Sequence, residues 1–275
     1  MTDAQNPNDV EPLISDDEMG RRIVEQAFEL WINPEIERRV ERGEIDPPIQ
    51  LFMAQVVWPP EGPHQVRLNS EVKGHAWTRM NRPIEKGEPV LISDLEGFAG
   101  FELEEEELDC GHLTLMSNGK GWVASFNFLR KRARGLALLE KAEEFLVAAR
   151  EALGRGHAAV VIDNLFSACE LASKADLLTG HFIEEKTSHK AIHSALNNQK
   201  RLGNVDAAFV DLFNRLSRLR PFYRYASEVS DQAPIEVDDV SLVSAVTDRI
   251  RSKLERLSKE KLEHDPMIAA IKLSQ

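Results

Sequence analysis

The sequence predicts an α+β fold, a small antiparallel β-domain with a leading helix followed by an all-helical bundle of four to five helices. Two textures carry that reading. Between Ile45 and Leu129 short apolar runs alternate with Pro and Gly, the pattern of strands and turns. Beyond Leu136 the apolar residues recur at steps of three and four, the pattern of amphipathic helices. At 275 residues the chain exceeds one domain of about 100–200, so two units of ordinary size are expected.

Met1 to Gly20 is polar and rich in Asp, Asn and Pro, and reads as a disordered acidic tail. The mainly β-domain then covers 21–130. It opens with Ile23, Val24, Ala27, Phe28, Leu30 and Trp31 at helical spacing; Pro34, which has no amide hydrogen, is expected to end that helix and start a second running to Arg42. About five strands follow in a barrel or sandwich: Ile49–Trp58, His64–Val72, Pro89–Asp94, His112–Ser117 and Trp122–Phe128. The last two flank Asn118-Gly119-Lys120-Gly121, whose Asn and Gly suit a tight hairpin turn. Trp58, Trp77, Trp122 and Phe126 are expected in the core, and Cys110 and His112 read as a loop leading into a strand. The acidic run from Glu102 to Asp109 reads as a solvated loop or sheet edge.

The basic stretch Arg130, Lys131, Arg132 and Arg134, with Gly135 behind it, marks the boundary to a helical bundle over 136–261, leaving 262–275 as a tail. Leu139, Ala142, Leu146, Ala149 and Leu153 line a first helix closed by Gly154-Arg155-Gly156. Val161, Leu165, Ala168, Ala172 and Ala175 line a second, closed by Gly180. Ser188 caps a third. Phe209, Leu212, Phe213, Leu216 and Leu219 line a fourth, begun near Asn204 or Asp206 and broken or bent at Pro221. Val240, Val243, Val246, Ile250, Leu254 and Leu257 line a fifth, capped by Asp238 or Asp239.

The net charge of −12 is localised: Met1–Gly20 and Phe101–Asp109 hold six acids each and no base, which accounts for all of it. The overall acidity argues against a basic nucleic-acid-coating protein but leaves room for a local basic site. No apolar run approaches the roughly 20 residues of a bilayer crossing. With no membrane segment, and with Cys110 and Cys169 as the only cysteines, a reducing cytoplasm is the expected location.

Two passages in the helical half resemble the HEPN family. Leu139-Glu140-Lys141-Ala142-Glu143-Glu144-Phe145-Leu146-Val147-Ala148-Ala149-Arg150, a Gly turn, then Asp163-Asn164-Leu165-Phe166-Ser167-Ala168-Cys169-Glu170-Leu171-Ala172-Ser173-Lys174-Ala175 are similar to that family's opening helical hairpin. Arg218-Leu219-Arg220-Pro221-Phe222-Tyr223-Arg224-Tyr225 is similar to its ribonuclease signature, an Arg, four to six residues, a His and often a Tyr one residue on. Here Tyr223 stands in place of the His. The resemblance implies a dimer formed through the helical domain, with Arg218 steadying phosphate charge and Tyr223 placed for proton transfer. Tyr, with an ordinary pKa near ~10, is a poor acid-base group at neutral pH. The weight therefore moves from catalysis to binding or assembly.

From residue chemistry alone, Arg215, Arg218, Arg220, Tyr223, Arg224 and Tyr225 form a cluster suited to gripping phosphates and stacking bases. The same arginines equally suit pairing with acidic neighbours such as Asp211. His189 and His193, four apart, share a helical face, but Lys190 stands where a zinc protease carries Glu, and the only third ligand to suggest itself is His181. Packing is the better reading, and neither a metal nor a cofactor is expected. Three functions stay open: an HEPN-like binding or assembly protein engaging a nucleotide, RNA or partner protein; a metal-independent endoribonuclease of toxin or defence type using Arg218 and Tyr223; and an adaptor whose β-domain contacts protein partners.

Overall fold

A computed structural model describes residues 16–85, 88, 94–117, 119, 121–184, 187–225, 234–255 and 268–273. The chain divides into two units. One comprises Met1–Glu104, Gly111–Asn127 and Lys259–Gln275, the other Glu105–Cys110 and Phe128–Ser258.

The first unit opens with α1 (Asp16–Ala27), a π-helical segment Phe28–Ile32, and α2 (Asn33–Glu41). Asp16–Gly20 thus belong to a helix and not to the tail expected over 1–20, of which residues 1–15 lie outside the described residues. A second helix does start beside Pro34 as expected, but no break in the helical turns precedes it. The turn before it widens instead, so that the Asn33 amide donates to the Phe28 carbonyl five residues back, and Pro34 falls in the first turn of α2, where its missing N–H is not needed. Glu35 pairs with Arg38 and Arg39, and Arg39 also reaches Glu71 at 2.7 Å and the Val66 carbonyl at 2.9 Å, tying α2 to the sheet.

Seven strands are described rather than five: β1 (Met53–Trp58), β2 (Gln65–Leu68), β3 (Gly74–Met80), β4 (Leu95–Glu102), β5 (Gly111–Ser117), β6 (Trp122–Asn127) and β7 (Ile268–Leu273). They form two antiparallel sheets, ordered β2-β1-β5-β6 and β4-β3-β7. The strand expected at Pro89–Asp94 falls almost wholly outside the described residues. Residues 262–275 are more than a tail, because Ile268–Leu273 pairs along β3 from Gly74↔Leu273 to Arg79↔Ile268.

The four-stranded sheet has two unlike faces. Ala54, Leu68, Leu113 and Leu115 pack with Ala27 and Ile32 from the helices. Trp58 meets Trp31 with ring centroids 5.3 Å apart, and Trp122 meets Phe28 at 5.2 Å. The opposite face is polar yet buried: Gln55 donates to Thr114 Oγ1 at 3.1 Å, and Phe101 of β4 lies against His112 of β5 at 5.1 Å, bringing the two sheets together. Trp77 is buried as expected, whereas Phe126 is 48% exposed and lies outside the core.

The guanidiniums of Arg38 and Arg39 hold the Glu35 carboxyl at about 2, against an ordinary 4.5. A depressed carboxyl stabilises the fold above its ordinary pKa and loses that contribution as pH falls through the depressed one. Acid titration followed by tryptophan fluorescence is expected to show the first unit losing stability between about pH 4.5 and about 2, and Glu35→Gln to flatten that loss.

The second unit is built of α3 (Arg132–Gly154), α4 (Ala158–Thr179), α5 (His189–Arg201), α6 (Ala207–Tyr225) and α7 (Val237–Leu254) around one apolar core. Gly156 takes a left-handed φ of +74° after α3 and donates to the Leu153 carbonyl, the expected close. Ser188 Oγ caps α5 through the Ala191 amide, and Asp206 caps α6 through the amides of Ala208 and Phe209. At α7 the cap is Glu236, whose amide donates to Asp239 at 3.0 Å. Pro221 does not break α6, which continues one turn beyond it to Tyr225.

Two expectations about the boundary change. Arg132 is buried and closes the far end of α7, donating to the carbonyls of Leu254 at 2.8 Å and Glu255 at 2.7 Å. The basic stretch is therefore partly structural. The acidic run is also put to use: Glu102 and Leu103 are buried, and Asp109 accepts from the Ala133 amide at 2.7 Å at the start of α3, where a negative charge suits the helix dipole.

Candidate functional site

The six Arg and Tyr residues singled out in the sequence all lie on α6, but helix geometry divides them. Arg215, Arg218, Phe222 and Tyr225 follow steps of three and four along one face, whereas Arg220, Tyr223 and Arg224 share another. The first face is open: Arg218 is exposed, Phe222 is 54% and Tyr225 79% exposed. Its inner end is anchored by Arg215, which forms an ion pair with Asp239 at 2.6 Å. Arg218 has no ion-pair or hydrogen-bond partner among the described residues.

The second face packs on α4. Arg220 Nε donates to Asp163 Oδ1 at 2.6 Å while its guanidinium lies over the Phe166 ring, 4.4 Å from the centroid. Arg224 reaches the other carboxylate oxygen of Asp163 at 2.8 Å. Burial raises the Asp163 pKa, but the two guanidiniums outweigh it and hold the carboxyl below its usual range. Tyr223 is half-buried against the apolar core and meets Phe222 edge-on at 5.5 Å.

Five residues of helix separate Arg218 from Tyr223, or about 140° of rotation. Within one chain the exposed guanidinium and the packed phenol do not converge. The pairing of the arginines with Asp211 is also replaced, because Asp211 binds Lys200 and the acid that serves Arg220 and Arg224 is Asp163.

Beside this face α5 contributes His193, whose ring stacks on Phe213 at 4.0 Å and faces Phe166 at 6.1 Å. Asn197 and Asn214 exchange side-chain hydrogen bonds at 3.2 and 2.9 Å, fixing α5 to α6. His189 turns instead to Glu170 on α4. The two histidines thus serve different partners, and among the described residues no group of His, Cys, Asp and Glu is arranged to hold a metal ion. Burial pushes the Cys169 thiol well up, which leaves it inert.

Residues 136–257 match the HEPN domain family model, and that span coincides with the five helices described above. The helical half of this chain is a HEPN domain. The N-terminal half matches no family model. No curated protein matches the chain.

The HEPN domain's signature segment is therefore the last two turns of α6, and its Arg-plus-aromatic stripe is held in place by contacts made elsewhere. Asp163, Phe166, His193 and Asp239 hold or flank the arginines, and sequence reasoning assigned none of them that part. The only signal available was the helical spacing that places Asp163 and Phe166 on one turn of α4. No helix among the described residues is long and apolar enough to cross a membrane.

Proposed function

We propose that the HEPN domain is a binding and assembly module that engages RNA or a nucleotide through the α6 stripe, works as a homodimer, and does not cleave its ligand. The observation that carries this reading is the sorting of the arginines. Arg220 and Arg224 share the single carboxylate of Asp163, while Arg218, with no partner among the described residues, faces solvent one turn from the exposed Phe222 and two from Tyr225. An uncompensated guanidinium next to exposed rings suits a phosphate with its neighbouring base, since stacking one base on an aromatic ring contributes about 1–3 kcal/mol. Tyr223 in place of a His, turned to the core, supports binding over strand scission.

Fluorescence anisotropy with a labelled single-stranded RNA tests this reading. Arg218→Ala combined with Tyr225→Ala is expected to weaken binding by roughly thirtyfold or more. The same RNA is expected to stay intact on prolonged incubation. Cleavage that disappears with Arg218→Ala and leaves cyclic phosphate ends would replace this reading with the endoribonuclease one. A protein that sediments as a monomer at micromolar concentration and binds no RNA or nucleotide would leave neither standing. The β-domain is the surface we assign to a protein partner, to be tested by pull-down from the native host with and without that half.

A further inference from the structure

A second site lies in the HEPN domain, away from the α6 stripe. Ser173 is ten residues along α4 from Asp163, a rise of about 15 Å. It lines a cleft of about 400 Å³ between α4, the α5–α6 turn and α7. That size falls within the range of small-molecule sites, roughly 300–1,000 Å³.

Ser173 is the informative residue. A buried serine or threonine hydroxyl inside a helix can satisfy itself by bonding back to the carbonyl four residues earlier. In this bundle Ser167, Thr179, Ser241, Thr247 and Ser252 all do so, at 2.8–3.0 Å. Ser173 does not. The residue is 1% exposed, and its Oγ has no hydrogen-bond partner among the described residues, although it lines the cleft. A buried hydroxyl left unpaired is costly, and a bound group with a hydrogen-bonding atom would recover that cost.

The rest of the cleft defines what that group belongs to. Leu196, Phe209, Val246 and Ile250 make the walls apolar. Four charges stand with them, and three are already engaged: Lys253 donates to Asp176 at 2.8 Å, and Asp206 is committed to the first amides of α6. Arg249 is exposed and has no partner among the described residues. The cleft therefore offers one free positive charge, an apolar wall and a buried hydroxyl. A single carboxylate matches that balance. A phosphate dianion would set its second charge against Asp176 and Asp206.

We propose that this cleft binds a small organic carboxylate, with the carboxylate on Arg249, an apolar body against Phe209 and Ile250, and a hydroxyl or carbonyl group on Ser173. Isothermal titration of the full chain with 4-hydroxybenzoate, benzoate and 4-hydroxybenzamide tests it. The hydroxy acid is expected to bind saturably. Arg249→Gln, and replacement of the acid by its amide, are each expected to weaken binding roughly tenfold, the worth of one charge-assisted hydrogen bond. Ser173→Ala should weaken 4-hydroxybenzoate several-fold and leave benzoate unchanged, while Arg218→Ala should change none of these. Neither Arg249→Gln on the surface nor Ser173→Ala in an Ala-rich helix endangers the fold, and circular dichroism of each variant checks this. No saturable binding up to about 10 mM, ten times a millimolar dissociation constant, binding indifferent to Arg249→Gln, or equal binding of acid and amide would overturn the proposal.

Discussion

Replacing Phe213 with Ala is expected to destabilise the HEPN domain by about 3–5 kcal/mol, the range for removing a large ring from a closed core. Phe213 is fully buried on α6. Its ring lies 5.2 Å from that of Phe166 on α4 and stacks on His193 of α5 at 4.0 Å, so it is the side chain through which three helices touch. Removing it leaves a hole that Phe166 cannot close, because Arg220 sits on that ring and is itself held by Asp163. It also strips cover from His193, whose Nε2 is buried without a hydrogen-bond partner among the described residues. Chemical denaturation followed by the helical circular dichroism signal measures the loss. Phe222→Ala, on the open face of the same helix, should stay within about 0.5 kcal/mol and serves as the control. A loss under about 1 kcal/mol at Phe213 would mean that these helices are not packed as described.

Gly74→Ala is expected to be as damaging in the other unit, at about 3 kcal/mol or more. Gly74 has a φ of +145°, which side-chain-bearing residues rarely adopt. An added Cβ would lie 2.4 Å from Phe101 Cζ and 2.6 Å from the Glu102 carbonyl oxygen. The ring can swing aside, but the carbonyl cannot move without disturbing the His75↔Glu102 pairing at the end of the β3–β4 ladder. The two units can be followed separately, because Trp31, Trp58, Trp77 and Trp122, all the tryptophans of the chain, lie in the β-containing unit. Gly74→Ala should therefore shift the fluorescence transition and Phe213→Ala the dichroism transition. If Gly74→Ala left fluorescence unfolding unchanged, the tight β3–β4 approach would be refuted.

The helical half was the more legible in the sequence because each helix carries its own evidence. Leu139, Ala142, Leu146 and Ala149 mark a buried stripe without reference to anything distant, and Ser188 and Asp206 announce the starts of α5 and α6. The strands did not all do so. In β3 nearly every residue is buried, so the alternation that marks a half-buried strand is missing. In β4, Gly97 and Gly100 and the adjoining acids imitate a loop. A six-residue strand such as β7, separated from the other strands by the whole bundle, gives a local reading nothing to pair it with. The candidate site shows the same division. The residue types on α6 were visible, but Asp163 lies 57 positions from Arg220, and only the folded bundle shows that it pairs with two arginines and that Arg218 has no partner among the described residues.

The pairing of β7 with β3 also fixes an order of events during synthesis. Strand β3 emerges from the ribosome early, but its partner at Ile268–Leu273 follows every helix of the HEPN domain. Until then one edge of β3 has its backbone amides and carbonyls open, the condition under which strands pair with the wrong chain. A chain stopped before Ile268 would keep that edge open permanently, so translational arrest or proteolysis there would convert a folding intermediate into a self-associating product.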